Sequence, residues 1–186
     1  MSKWNNKQIL ITGAGSGIGQ ALARLFAKEG AKLILTDVNE ENLNITTNEL
    51  IHAITLSQVA DASNKADWQT LAANIKQEVG YLDVLINNAG MTSLGYFDET
   101  SEALFNKVMD VNFNGLVVGC REMQPLLEKA DRGLIVNIAS IFGLITMPMV
   151  TPYHASKFAV RGFTEALRQD MLYQKKNIDV VCVMPG

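Results

Sequence analysis

The run Thr12-Gly13-Ala14-Gly15-Ser16-Gly17-Ile18-Gly19 decides the fold. It follows the apolar stretch Gln8-Ile9-Leu10-Ile11 and leads into a helical pattern from Gly17 to Glu29, which gives strand, glycine turn and helix in order. Glycine has no Cβ, so the backbone of such a turn can approach a phosphate closely. The free N–H groups and partial positive charge of the helix N-terminus favour the same anion. The generic dinucleotide fingerprint is G-x-G-x-x-G, whereas glycines at 13, 17 and 19 give G-x-x-x-G-x-G. Alone, the run also suits a plain tight turn, so its surroundings must decide.

Working outward, apolar runs of strand length alternate with helical patterns along the whole chain. Strands are expected at Gln8–Ile11, Lys32–Thr36, Ile54–Val59, Leu82–Ile86, Leu134–Ala139 and Asp179–Val183. Helices are expected at Gly17–Glu29, Glu40–Leu50, Lys65–Val79, Ser101–Lys129 and Pro152–Lys175. This alternation predicts an α/β fold: a Rossmann-type, doubly wound parallel sheet with helices on both faces. Residues 1–186 read as one domain, a length that supports one substantial core. Ligands of such folds sit at the carboxyl ends of the strands, where strand order reverses.

Composition narrows the function classes. With 48% hydrophobic and 19% charged residues the chain belongs with folded globular proteins. A net charge of −3 gives no electrostatic case for nucleic acid. Cys120 and Cys182 lie far apart and imply neither a disulfide framework nor a metal site. The stretch from Gly133 to Tyr153 has no charged side chain, but Asn137, Ser140, Gly143, Pro148 and Pro152 interrupt it, and Leu134–Ile138 reads as a buried strand. No membrane span is expected. The first strand begins at Gln8 and leaves no room for a signal peptide, which predicts a cytoplasmic protein with reduced thiols.

Asp37 ends the second strand, about 20 residues beyond the glycine loop, where a carboxylate can accept the adenosine ribose hydroxyls of NAD. It would also oppose a 2′-phosphate, since like charges about 4 Å apart cost roughly 4 kcal/mol at an effective dielectric near 20. Neither Ser16 nor Val38 offers that phosphate a positive charge, so NAD is favoured over NADP. Asp37 can equally cap the helix that starts near Glu40. Asp61 after the third strand and Asn87-Asn88-Ala89-Gly90 after the fourth are further cofactor candidates through their alignment with the glycine loop.

Tyr153-His154-Ala155-Ser156-Lys157 opens a helix, with Thr151 as the expected N-cap and Pro152 at the first helical position. Tyr153 and Lys157 are spaced i, i+4 and share a face. A phenol is a poor acid or base at neutral pH, but a neighbouring ammonium, the helix N-terminus and a positive nicotinamide all favour its phenolate. Ser140, at the end of the fifth strand, can bond a substrate oxygen alongside Tyr153. Asn112 sits inside a predicted long helix, where Asn is a mediocre helix former; a solvent-facing position is the simple explanation.

Taken together, Thr12-Gly13-x-x-x-Gly17-Ile18-Gly19, Asn87-Asn88-Ala89-Gly90, Asn112, Ser140, Tyr153-x-x-x-Lys157 and Pro185-Gly186 resemble the motifs of the short-chain dehydrogenase/reductase family, in order and spacing, from about residue 7 to the last residue. The resemblance implies Tyr153 as general acid/base, Lys157 on the nicotinamide ribose, Ser140 orienting the substrate oxygen and Asn112 helping to hold a relay water. It implies a cofactor site lined by Gly13, Ser16, Gly17, Ile18, Gly19, Asp37, Asp61, Ala62, Asn88, Ala89 and Gly90, with Pro185 and Gly186 near the nicotinamide. Family members usually continue beyond this point with a substrate-covering loop, a further helix and a final strand, so the resemblance describes a C-terminally truncated member.

Hydride transfer between NAD(H) and an alcohol or ketone is the reaction implied. Ile141, Phe142, Leu144, Ile145, Met147, Met149 and Val150, facing Met91, Leu94, Tyr96 and Phe97, suggest an apolar site for a lipophilic secondary alcohol or ketone, or else core and subunit packing. A non-catalytic NAD-binding sensor or scaffold is the alternative, and an NAD-dependent sugar epimerase a more distant one. The resemblance also implies a homo-oligomer, dimer or tetramer, packed through helices 101–129 and 152–175. Phe105, Val108, Met109, Leu116 and Phe163 are candidates for that interface or for the core.

Overall fold

In a computed structural model of the protein, which describes residues 2–186, the expected alternation forms one sheet. Met1, inside the domain range expected above, lies outside the described residues. Strands β1 (Gln8–Thr12), β2 (Lys32–Asp37), β3 (Ile54–Val59), β4 (Val84–Asn87), β5 (Gly133–Ile138) and β6 (Ile178–Val183) lie in the order β3-β2-β1-β4-β5-β6. Every pairing is parallel. Strand order reverses between β1 and β4, whose register pairs Leu10 with Leu85 and Ile11 with Ile86. The glycine turn after β1 and the Asn88-Ala89-Gly90 turn after β4 therefore flank one crevice.

Helices cover both faces. On one side Ile9, Ile11, Leu33, Leu35, Val84 and Ile86 pack under α1 (Gly17–Lys28) and α2 (Glu40–Glu49), through Ala23 and Leu43. On the other, Leu10, Ile34, Leu85, Ile135 and Val180 pack under α3 (Lys65–Glu78), α5 (Gly115–Leu127) and α6 (Thr151–Tyr173). Strands buried on both faces need apolar residues in near-continuous runs, which is how β1, β2 and β4 read. Each fully buried Leu or Ile contributes about 1.5–3 kcal/mol.

Three local expectations are corrected. The single helix over 101–129 is broken: α4 (Glu102–Met109) passes into a π-helical turn at Asp110–Asn114 before α5. A π turn inserts one residue into the helical repeat and swings the side chains within it, and Asn112 sits at its centre. That residue is 1% exposed, not solvent-facing. Second, α6 starts at Thr151, with Val150 at the cap position and no side-chain cap bond. Third, α2 is capped by Asn39, which accepts from the Asn42 N–H at 2.9 Å, not by Asp37. Of the interface candidates, Val108 and Leu116 are buried within the chain, and Phe163 packs edge-on against Phe113.

Candidate active site

Two of the glycines in the first turn are required by close approach. A Cβ on Gly13 would sit 3.0 Å from Ala89 Cα, and one on Gly19 would run into the Gly13 carbonyl and lie 2.6 Å from Asn88 Nδ2. Gly17 has open space around it but φ of +52°, a left-handed conformation that disfavours a side chain. Asn88 binds the turn to β4: its Nδ2 donates to Thr12 O at 2.9 Å and Gly13 O at 3.2 Å. The Asn88 and Ala89 N–H groups both donate to Thr12 Oγ1 at 3.0 Å. Ser16 stands at the N-terminus of α1 without making a side-chain cap bond, so the first N–H groups of the helix face the crevice unblocked.

A cavity of about 430 Å³ opens there. Ten predicted cofactor residues line it: Gly13, Ser16, Gly17, Ile18, Asp37, Asp61, Ala62, Asn88, Ala89 and Gly90. Gly19 lies beneath the turn instead. Asp37 Oδ2 accepts from Gly15 N at 2.9 Å and Oδ1 from Asn39 N at 2.9 Å, so the carboxylate is pinned at one end of the glycine loop. Asp61 Oδ1 accepts from Ser63 N at 2.8 Å and Ser63 Oγ at 2.6 Å. Burial works against the Asp61 carboxylate, but the Ser63 hydroxyl and N–H, together with the Lys107 ammonium 3.2 Å from Oδ2, hold its pKa below the ordinary range. Lys107, Trp68, Leu71, Thr36 and Val111 also line the cavity and carry no sequence signal that separates them from a solvated lysine or core residues.

The remaining predicted residues gather at the carboxyl end of β5. Lys157 is 4% exposed, and its Nζ donates to Ile138 O at 2.9 Å. That ammonium lies 5.5 Å from the centroid of the Tyr153 ring and, among the described residues, makes no ion pair. Burial pushes its pKa down to about 8. A Cβ on Gly90 would be 3.7 Å from Nζ and 3.3 Å from Asn112 Oδ1, so Gly90 joins the cavity to this group. Ser140 Oγ accepts from Phe142 N at 3.1 Å, and its own proton remains available to a substrate oxygen. Pro185 O accepts from Ile141 N at 2.8 Å, which sets Pro185 and Gly186 beside the Ser140 turn.

Asn112 works through its neighbours. Its Oδ1 accepts from Met91 N at 2.7 Å, and its Nδ2 donates to Met91 O at 2.8 Å and to Ser156 Oγ at 2.9 Å. Ser156 Oγ in turn donates to Tyr153 O at 2.7 Å. Both amide protons of Asn112 are thus used within the protein, and the side chain ties the β4 loop to the first turn of α6. Ser156 was not among the expected site residues, and Met91, expected on the apolar side of the substrate site, meets Asn112 through its backbone. Cys120 is buried with a polar neighbour: Asn87 Nδ2 lies 3.3 Å from its sulfur, and burial pushes its thiol up to about 12. Among the described residues no group of His, Cys, Asp or Glu is arranged to hold a metal, and no helix is long and apolar enough to cross a membrane.

The family model for short chain dehydrogenases matches residues 7–186. Over its full length the chain is 40% identical to SadH of Mycobacterium tuberculosis, a protein named as an oxidoreductase, and covers 68% of it. It is 35% identical to the cyclopentanol dehydrogenase of Comamonas testosteroni, again over all of this chain and 74% of that one. A short-chain dehydrogenase/reductase from Burkholderia phymatum, solved in complex with NAD, superposes with a TM-score of 0.92 at 36% identity, over 99% of this chain and 66% of that one. The chain therefore spans about two thirds of the length of such relatives. The single parallel sheet agrees with these similarities: the chain belongs to the short-chain dehydrogenase/reductase family of oxidoreductases.

Proposed function

We propose that this protein interconverts a lipophilic secondary alcohol and its ketone with NAD(H) as the redox partner, using Ser140, Tyr153, Lys157 and Asn112. The observation that carries the reading is the buried Lys157 ammonium, 5.5 Å from the Tyr153 ring and beside Gly90 at the edge of the cavity. A buried cation without an anionic partner is unfavourable in a resting fold and becomes useful where a negative charge develops next to it.

The cavity residues fit NAD. The glycine turn offers a close approach and free helix N–H groups to a diphosphate, and the pinned Asp37 carboxylate suits ribose hydroxyls while repelling a 2′-phosphate. The Burkholderia relative, solved with NAD, supports the same choice. NAD(H), when bound, accepts or supplies the hydride at the nicotinamide. In the oxidation direction the Tyr153 hydroxyl, as phenolate, takes the alcohol proton at its Oη; in reduction it returns one to the carbonyl oxygen. Lys157 places a positive charge beside the oxygens on which negative charge develops as the proton moves. Ser140 donates to the same substrate oxygen and so fixes its distance from Tyr153, while Asn112 holds the β4 loop and the Tyr153 backbone in register through Met91 and Ser156.

The substrate class follows from the rim. Leu94 and Phe97 are 75% and 69% exposed, and Leu144, Ile145 and Met147 across from them are also exposed. Such a concentration of uncovered apolar side chains marks a ligand surface, and the relative named for cyclopentanol supports a secondary alcohol. On this reading residues 1–186 form one NAD-binding domain that also holds the catalytic residues. The protein is a cytoplasmic homo-oligomer; Phe105 and Met109 on α4 remain available to an interface, and two free cysteines suit a reducing compartment. The test is reduction of NAD by the chain with cyclopentanol or larger cyclic alcohols, followed by the absorbance of the reduced nicotinamide. Tyr153→Phe is expected to lower turnover by about 10²–10⁴-fold with NADH binding within about threefold. Turnover retained in Tyr153→Phe would remove that residue from its role.

A further inference from the structure

Between Ser140 and Tyr153 the chain makes one 3-10 turn at Ile141–Gly143 and then runs without a charged residue to α6. Leu144 to Pro148 are all exposed, so burial does little to hold this connection in place. Beside a few backbone bonds, a buried ring holds it at two points. His154, 6% exposed, accepts from Met147 N at Nε2 at 3.0 Å, and its Nδ1 lies 3.1 Å from Phe142 O. A backbone N–H can only donate and a carbonyl can only accept, so the ring is neutral with its proton on Nδ1. The Phe142 ring stands edge-on to His154, centroids 4.9 Å apart, and to Tyr153, 6.3 Å apart.

The tether extends across the mouth. Two residues beyond Met147, Met149 adopts φ of +73°, uncommon for a side chain of that size. Its carbonyl accepts from Gly95 N at 2.8 Å, which draws in the facing loop that carries Leu94, Tyr96 and Phe97. One imidazole thus anchors the first apolar rim directly and the second through Met149. We infer that His154 is a positioning residue that sets the width of the substrate mouth, and with it which alcohols are accepted, by holding the 141–149 connection against α6. The inference rests on the hydride-transfer reading above.

Three variants separate the two bonds. His154→Gln places an acceptor near Met147 N, His154→Asn keeps a donor near Phe142 O, and His154→Phe keeps only a ring. Amide hydrogen exchange at Met147 is expected to speed up by about tenfold in His154→Phe, as for the loss of one hydrogen bond, and to stay near wild type in His154→Gln. Across cyclopentanol, cyclohexanol and cyclododecanol, the wild-type spread of KM values is expected to narrow by about tenfold in His154→Phe. That change should lie in KM and leave NADH affinity within about threefold. Unaltered Met147 exchange in His154→Phe overturns the tether. Faster exchange with an unchanged KM spread overturns the specificity role. A wild-type chain that binds no NADH and oxidises none of the alcohols instead overturns the reading on which the role rests, and exchange at Met147 still decides the tether. Should His154→Phe fold poorly, the contrast between His154→Gln and His154→Asn decides in its place.

Discussion

Replacing Lys157 by Met should make the fold more stable. The ammonium is almost wholly buried and, among the described residues, has no ion pair and donates only to the Ile138 carbonyl, at 2.9 Å. Burial lowers its pKa from 10.5 to about 8, a difference that corresponds to about 3 kcal/mol against the charged form at neutral pH. Methionine fills a similar volume without a charge, while leaving the Ile138 carbonyl unpaired costs about 1–2 kcal/mol. The net gain is about 1–2 kcal/mol, or about 3–6 °C in melting midpoint for a chain of this length. The pH dependence carries a definite sign. Between pH 8 and 10.5 the unfolded chain keeps the lysine proton and the folded chain has released it, so wild-type stability rises with pH through that window. Lys157→Met lacks the group and loses this part of the slope, and its advantage shrinks as pH rises. Thermal melts of both proteins at intervals from pH 7 to 9.5 measure the difference, and the same pair compared in a Cys182→Ser background removes the thiol that is coupled to the ammonium. A variant that melts below wild type, or an advantage that does not change with pH, would refute the claim that the ammonium is held at a cost to stability.

Asp37→Ala should weaken NADH by about tenfold or more, as expected when hydrogen bonds to a charged group are lost, and weaken NADPH much less; fluorescence titration with both cofactors reads the ratio. Gly19→Ala forces a Cβ against the Gly13 carbonyl and Asn88. It should destabilise the fold by about 1–3 kcal/mol and abolish NADH binding, as measured by denaturant titration and fluorescence. Cys120, with its thiol pushed up to about 12 by burial, should remain unmodified by an aromatic disulfide reagent at pH 8 until denaturant is added; mass spectrometry of the labelled peptides checks this.

Much of the site is legible in the sequence because its chemistry sits at strand ends. Gly13, Asp37, Asp61, Asn88 and Ser140 each follow an apolar run, and a parallel sheet brings consecutive strand ends to one edge. Tyr153 and Lys157 share a helix face by their spacing, but that spacing is common by chance, and only the surrounding motifs mark the pair as a site candidate. The π turn at Asp110–Asn114 is not, because its local pattern of apolar and polar residues is that of an ordinary helix, and only the tertiary bonds of Asn112 to Met91 and Ser156 distinguish it. Lys107 reads as a solvated charge on α4, and its approach to Asp61 depends on where α4 crosses the end of β3. His154 stands beside Tyr153 but looks like any polar residue in the first turn of a helix. Its function depends on the loop folding back over it, which no local pattern encodes.

The most direct test of the central claim is titration of the chain with NADH, followed by cofactor fluorescence, with NADPH alongside. The account predicts NADH binding in the micromolar range and NADPH at least about tenfold weaker, because Asp37 opposes a 2′-phosphate. Equal or tighter NADPH binding would contradict the role given to Asp37. Absence of NADH binding, in a chain whose circular dichroism shows the α/β fold intact, would contradict the account as a whole.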